Sequence, residues 1–241
     1  ARRDAATIER QLGELRESQA RASQNEKLAS IGRLAAGVAH EVRNPLGVIR
    51  SSAGLLFESI PEPDDVATRS ARFVREEIDR LDAYIASLLQ FSRPIQVAPR
   101  ALQARFLAER VRALVDSELA SRSVELALEV DDAEGRGDPD LLAQVLFSLV
   151  TNAGQAVDEG GHVELRARRA GDQLIFEVLD DGPGVDPEAG ERIFEPFFTT
   201  RAQGTGLGLS MAERVAQAHG GSLALGSGGL GPEGRGARFV L

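Results

Sequence analysis

His40, Glu41 and Asn44 are the residues whose types and spacing could do chemistry. An exposed imidazole ordinarily titrates near about 6.5, so at neutral pH it is mostly uncharged and nucleophilic. A carboxylate beside it can orient the ring and take its proton. On a helix, Asn44 falls one turn after both His40 and Glu41, so the three side chains share one patch. Pro45 follows. It removes a backbone donor and clashes with the carbonyl one turn back, so a kink is expected where the polar cluster stands. A lone His-Glu pair on a surface is ordinarily solvated decoration. The proline and the flanking sequence set this pair apart.

The element that must position them is a long helix. Leu28, Ile31, Ala35, Val38 and Val42 recur in steps of three and four, which is one helical face. His40 lies off that stripe and should point outward. The pattern continues to about Phe57. Upstream, over 1–27, Ile8, Leu12, Leu15, Gln19 and Ala22 follow the spacing of a thin coiled-coil seam. The stripe from Leu28 starts one residue short of that register, a slip that alters supercoiling. A signal-transmitting coiled coil and a frayed surface helix both fit, and the first is preferred because the seam leads into the helix that carries His40. Pro61 and Pro63 break the chain, and a second helix is expected over about 65–92, with Ala71, Val74, Ile78, Leu81, Ile85, Leu88 and Leu89 apolar. Two such helices make an antiparallel hairpin that cannot bury its stripe alone. Dimerisation into a four-helix bundle is the simple solution.

From about 95 the texture changes to alternating helices and strands. Helices are expected over 102–121, from Asp138-Pro139 to about Val157, and over 206–219; strands over 124–130, 163–169 and 173–179, the last two joined at Gly171-Asp172, with two short strands closing the chain. That order predicts helices on one face of a mixed sheet. Asp180-Asp-Gly182-Pro-Gly184 directly follows a strand, where glycine lets backbone approach a ligand, although a hairpin turn explains the motif equally well. Gly204-Thr205-Gly206-Leu207-Gly208 opens a helix, a ready phosphate site. It lacks the strand context of a dinucleotide fingerprint and the Gly-Lys-Ser/Thr of a Walker loop.

Composition closes other routes. With no cysteine there is no disulfide framework, thiolate metal site or thiol nucleophile. A formal charge of −9 speaks against a nucleic-acid partner. Lys27 is the sole lysine, which all but removes a catalytic lysine. No apolar run approaches the roughly 18 residues of a membrane span, and no signal peptide is visible. The sequence opens inside a helical pattern, so a sensor region is expected upstream of this chain.

Ser30-Ile-Gly-Arg-Leu-Ala-Ala-Gly-Val-Ala-His40-Glu41-Val-Arg43-Asn44-Pro45-Leu46 resembles the H-box of bacterial two-component sensor histidine kinases, and the end of the second helix resembles the end of that family's dimerisation hairpin. Phe147 to Ala156 resembles the N-box, Ile193 to Arg201 the F-box and the start of the ATP lid, and Asp180 to Gly184 with Gly204 to Gly208 the two glycine boxes of the Bergerat-type, or GHKL, ATP-binding domain. The resemblance covers about 25–241. It implies an α and α+β chain: a signalling helix over 1–27, a dimeric phosphotransfer hairpin over 28–94 and an α/β sandwich over 95–241.

The resemblance further implies roles. His40 would be the phospho-acceptor and Glu41 the general base, and Glu41 with Asn44 would also serve in dephosphorylating a response-regulator receiver domain. Asn152 would be a Mg²⁺ ligand, and Asp180 would accept from the adenine amino group. Gly182, Gly184, Phe194, Gly204, Thr205, Gly206, Leu207 and Gly208 would surround ATP. Arg201 either supplies charge near the γ-phosphate or is a solvated loop arginine. The core would be cytoplasmic and the whole protein either soluble or membrane-anchored. The alternatives are a nucleotide-binding dimeric scaffold without transfer and a GHKL-type ATPase. Two positions depart from the pattern: Ser148 stands where the usual N-box has its first Asn, and Gln155 where a basic residue is common. Related ATPases place a Glu at the Ser148 position to activate water, so Ser148 argues against simple hydrolysis. His162, in a turn before a strand, and His219, at a helix end where a partly charged ring suits the dipole, are expected to lack the acidic neighbour that His40 has.

Overall fold

The computed structural model describes Val42 and residues 45–55, 66–201 and 204–241, apart from the side chains of 66–68, 71 and 191. His40, Glu41, Asn44 and the 1–27 helix lie outside the described residues, and so do the expectations placed on them. The chain divides into two compact units, Ala1–Pro94 and Ile95–Leu241.

In the first unit, helix α1 occupies 45–55 and helix α2 runs Val66–Ser92. Arg50 on α1 pins the two together through Asp79 at 2.8 Å and Asp82 at 2.6 Å. Leu46, Ala53, Ile78 and Phe91 are buried. The rest of the apolar stripe is not: Leu55 is 68% exposed and Phe73 69%, and Val48, Ile49, Val74 and Leu81 are exposed as well. At about 25 cal/mol per Å² of apolar surface, a face of that size is a standing driving force for association.

The second unit is built in chain order from β1 (Arg100–Gln103), α3 (Ala104–Ser121), β2 (Glu125–Val130), β3 (Glu134–Gly137), α4 (Pro139–Ala156), β4 (His162–Ala170), β5 (Gln173–Asp180), α5 (Gly208–Ala218), β6 (Ala224–Leu225) and β7 (Arg238–Val240). The main sheet has the order β2-β4-β5-β7-β6. β2 runs parallel to β4 and the other neighbours are antiparallel, so the sheet is mixed as expected. The β4–β5 hairpin turns at Gly171, whose φ of +62° is left-handed backbone that glycine adopts without strain. A small antiparallel pair, β1 with β3, is an addition. The helix expected from Leu102 starts at Ala104 because the two residues before it belong to β1.

The core lies between one face of the main sheet and the three helices. Val163, Leu165 and Ala167 of β4, and Phe176 and Val178 of β5, alternate inward onto Leu142, Leu146, Leu149 and Val150 of α4 and Val111, Val115 and Leu119 of α3. α3 and α4 approach closely at Gly154, where a Cβ would run into Leu119. The other face carries charge. Arg166 bridges Glu129 at 2.9 Å and Glu164 at 2.8 Å, and Arg238 reaches the buried Glu177 at 2.6 Å. Burial pushes Glu177 up, but Arg238 and then Arg168 outweigh it and hold the carboxyl below its ordinary value.

Candidate functional site

Helix α4 is the spine of the site, and its start is fixed first. Asp138 is its N-cap: Oδ1 accepts from the N–H of Asp140 at 3.0 Å and of Leu141 at 3.2 Å, while Oδ2 accepts from Ala98 N–H at 3.0 Å. Pro139 takes the first helical position, where no donor is needed. The Asp138 N–H donates to His219 Nε2 at 2.9 Å, and His219 Nδ1 lies 2.8 Å from Val215 O. A carbonyl only accepts, so Nδ1 carries the proton and Nε2 the lone pair. The partly charged ring expected at this helix end is therefore corrected. His219 is a tie between the end of α5 and the start of α4. His162 also departs from expectation: it opens β4, and its Nδ1 sits 3.1 Å from Asp181 Oδ2, with Glu125 at 3.6 Å from Nε2. Sequence neighbours could not show these carboxylates, because both reach the ring across the sheet.

Asp180 ends β5 on the same inward row as Phe176 and Val178, so a carboxylate terminates an otherwise apolar stripe. It is 2% exposed. Its Oδ1 accepts from Gly182 N–H at 3.0 Å and Ala237 N–H at 3.1 Å. Its backbone is equally tied: Asp180 N donates to Ala237 O at 3.0 Å, and Leu230 N donates to Asp180 O at 2.9 Å. Oδ2 is left with no partner among the described residues. Burial pushes the carboxyl up, with the two N–H donors pulling the other way. Gly236, at φ +111°, is glycine by necessity, since a Cβ there would drive into the Asp180 carbonyl. Gly184, at φ +82°, closes on Gly236 O, where a Cβ would come within 3.0 Å. Gly182 backs onto Ala156 at the end of α4, a Cβ there coming 3.0 Å from the Ala156 carbonyl.

The second cluster stands where α4 meets the start of α5. A Cβ on Gly208 would come within 2.9 Å of Ser148 Oγ and 3.7 Å of Asn152 Nδ2, so these N-box side chains face the first turn of α5. Among the described residues no side chain caps that turn. Its N–H groups, which have no intrahelical acceptor, are available to an anion. Thr205 Oγ1 accepts from Leu207 N–H at 3.3 Å, and Gly206, at φ +65°, offers its carbonyl to Phe197 N–H at 2.8 Å. Leu207 is buried beneath the turn, and Phe194 packs partly buried against the core. A Cβ on Gly204 would strike Thr199.

Arg201 is the cation of this cluster. Its NH1 donates to Asn152 Oδ1 at 3.2 Å and to Gln155 Oε1 at 2.8 Å, and its NH2 donates to Asn152 O at 2.7 Å. Gln155 Nε2 in turn donates to Glu118 Oε1 of α3 at 3.1 Å. Burial and Arg122 lower the guanidinium's affinity for its proton and Asp180 raises it, but an arginine stays charged. Arg201 is half-buried and tied to α4 by three hydrogen bonds. The structure thus brings Asn152, Arg201 and Gly208 to one side of α4 and sets Asp180, Gly182 and Gly184 at its end. Sequence reasoning did not find the Arg201 tie through Gln155 and Glu118, or the backbone donors to Asp180. The glycine-rich run 226–236 was the available signal for the latter.

This arrangement pairs a carboxylate acceptor with an uncapped helix start and a guanidinium, the requirements of a base at one end of a ligand and phosphates at the other. Comparison with known proteins agrees. The family model described as histidine kinase-, DNA gyrase B- and HSP90-like ATPase matches residues 137–241, and that of the His Kinase A (phospho-acceptor) domain matches residues 30–96. The sensor histidine kinase ZraS of Escherichia coli is 37% identical over 218 residues, covering 90% of this chain and 46% of that protein. The sensor protein kinase PilS of Pseudomonas aeruginosa is 38% identical over 206 residues, covering 83% and 39%. Among solved structures, full-length ShkA in complex with AMPPNP matches at a TM-score of 0.68 and 29% identity, over 86% of this chain and 44% of that one. The histidine kinase ThkA in complex with the response regulator TrrA matches at 0.65 and 25%, over 89% and 62%. The chain belongs to the sensor histidine kinases and carries their catalytic core, a phospho-acceptor helical hairpin followed by a GHKL-type ATP-binding domain. It spans about half the length of the curated ZraS relatives it matches.

Proposed function

We propose that the chain is an ATP-dependent protein-histidine autokinase. The observation that carries the proposal is the half-satisfied carboxylate of Asp180, set at the end of α4 from a phosphate-ready helix start, in a chain that also holds a phospho-acceptor domain. Asp180 Oδ2 accepts from the adenine amino group, with Gly182 and Gly184 close beneath and Phe194 supporting the segment after them. Gly204, Thr205, Gly206, Leu207 and Gly208 line the phosphates, and the N–H groups at the start of α5 donate to them. Asn152 supplies an oxygen ligand to Mg²⁺. Its fit rests on the fact that Asn152 Oδ1 already accepts from a cationic group, and a neutral amide oxygen suits a metal held mainly by phosphates and water. When bound, Mg²⁺ offsets phosphate charge.

The chemistry then falls to the hairpin. The His40 imidazole attacks the γ-phosphorus, the bond to the ADP oxygen breaks, and Glu41 takes the ring proton. Little covalent work is asked of the protein beyond positioning. The N–P bond is labile enough to pass its phosphoryl group to an aspartate of a response-regulator receiver domain, and Glu41 with Asn44 positions water for the reverse, phosphatase, role. The exposed apolar face of α1 and α2 is the dimer surface, closing a four-helix bundle with a second copy. On this reading 1–27 is the signalling helix, 28–94 the phosphotransfer hairpin and 95–241 the cytoplasmic ATP-binding domain. Among the described residues no helix is long and apolar enough to cross a membrane.

The test is incubation with γ-labelled ATP and Mg²⁺, comparing the chain with His40→Gln. Acid-labile, base-stable label on the parent alone is the expected result. Bound nucleotide with no label would leave a scaffold, and phosphate release that survives His40→Gln would make the chain an ATPase.

A further inference from the structure

Arg201 and Asn152 are tied to each other. The guanidinium rests on three neutral oxygens: Asn152 Oδ1, Asn152 O and Gln155 Oε1. The backbone carbonyl lies in the last turns of α4, where a cation suits the helix dipole. The Gln155 side chain is itself oriented, because its amide donates to Glu118 and so turns its oxygen toward Arg201. A lysine or arginine there would repel Arg201, whereas an amide oxygen accepts from it.

Resting on the reading of Asn152 as the Mg²⁺ ligand, we propose that Gln155 is a positioning residue that parks the Arg201 guanidinium on Asn152 Oδ1, so that Mg²⁺–nucleotide binds by displacing it. A guanidinium and a metal ion on the same Asn152 Oδ1 would repel each other at close range, so the two compete for it. Displacement leaves Arg201 charged and without its neutral acceptors, free to meet the phosphates that arrive with the metal. The same exchange couples loading to the state of the Arg201 segment, with Glu118 and Gln155 setting its strength.

The experiment is nucleotide titration by calorimetry on the full chain, with ADP in Mg²⁺ and in excess chelator. Gln155 is exposed, so Gln155→Ala leaves the core intact. The bond from Arg201 to Gln155 is charge-assisted but exposed to solvent, so Gln155→Ala should tighten Mg·ADP by roughly threefold to tenfold. Metal-free ADP, which need not take Oδ1, should change far less, so the ratio of the two affinities rises. In an Arg201→Ala background the same substitution should change neither. An unchanged ratio in Gln155→Ala, or an effect that persists without Arg201, overturns the proposal. Asn152→Ala separates the two readings. If the advantage of Mg²⁺ survives it, Asn152 is not the metal ligand and the exchange falls with it. If that advantage is lost while Gln155→Ala is silent, only the parking role fails.

Discussion

Asp180→Asn should separate nucleotide binding from folding. The amide keeps one oxygen, which can turn inward to the N–H groups of Gly182 and Ala237 that Oδ1 now serves at 3.0 and 3.1 Å. Its NH₂ then takes the place of Oδ2 and, on the proposed reading, faces the adenine amino group, donor against donor. A hydrogen bond to a charged acceptor contributes about 1.5–3 kcal/mol. Its loss predicts a nucleotide Kd weaker by roughly tenfold to a hundredfold. Stability should move little. The two inner bonds become neutral and lose about 1 kcal/mol together, while the cost of burying a carboxylate disappears.

The sign of that cost comes from the titration. Burial raises Asp180 above its ordinary 3.8, so the native state holds a proton that the unfolded chain has released. The group therefore favours folding in acid, and that contribution is lost as pH rises through the raised value. The Asn variant lacks this slope, so its Tm relative to the parent should improve from acid toward neutral pH and end within about 3 °C of it. Calorimetric melting and nucleotide titration at matched pH read both halves. A large fall in Tm with binding retained would refute the reasoning, for it would make Asp180 a structural clamp and not the base acceptor.

Other outcomes rest on the same geometry. Gly236→Ala should weaken nucleotide binding and destabilise by about 1–3 kcal/mol, because its Cβ would push on the Asp180 carbonyl at a left-handed position; nucleotide titration and thermal melting check it. Leu146→Ala, at a fully buried position in the middle of α4, should cost about 2–5 kcal/mol by urea denaturation. Asp138→Ala should cost about 1–2 kcal/mol at neutral pH through the lost N-cap. Burial raises the Asp138 carboxyl, but the N–H donors of Ala98, Leu141 and Asp140 outweigh it and hold it low. Its contribution is thus present above the ordinary 3.8 and lost as pH falls through the depressed value. The gap between parent and Asp138→Ala should accordingly close in acid denaturation, the reverse of Asp180.

The parts of this fold legible in the sequence are those whose cause is local. Asp138-Pro139 announces α4 because a cap and a fixed φ act within three residues, and Gly171-Asp172 announces the β4–β5 hairpin for the same reason. β3, by contrast, reads Glu-Gly-Arg-Gly with no apolar alternation, and it is a strand only because β1 pairs with it. The parallel pairing of β2 with β4 is likewise set by packing across the intervening helix. At the site, residue types carried the roles, while the partners of Asp180, His162 and Arg201 come from distant stretches of chain. Glu118 carries no motif, Gln155 stands in the N-box stretch as a departure from it, and only the fold shows that Glu118 orients Gln155 toward Arg201.

The stretch leading into β7 gives the molecule a built-in order of assembly. Helix α4 and strand β5 leave the ribosome well before Leu230 and Ala237, yet Asp180 relies on both of those residues for its backbone and its inner oxygen. Domains gather as units during synthesis, so the Asp180 carboxylate, the proposed base acceptor, lacks its clamp until the last stretch of the domain has been made. On the proposed reading, nucleotide capture is thereby deferred until the sheet is finished. A chain halted before residue 230 would retain the phospho-acceptor hairpin and α4 but no base site, and a population of such chains would be silent toward ATP.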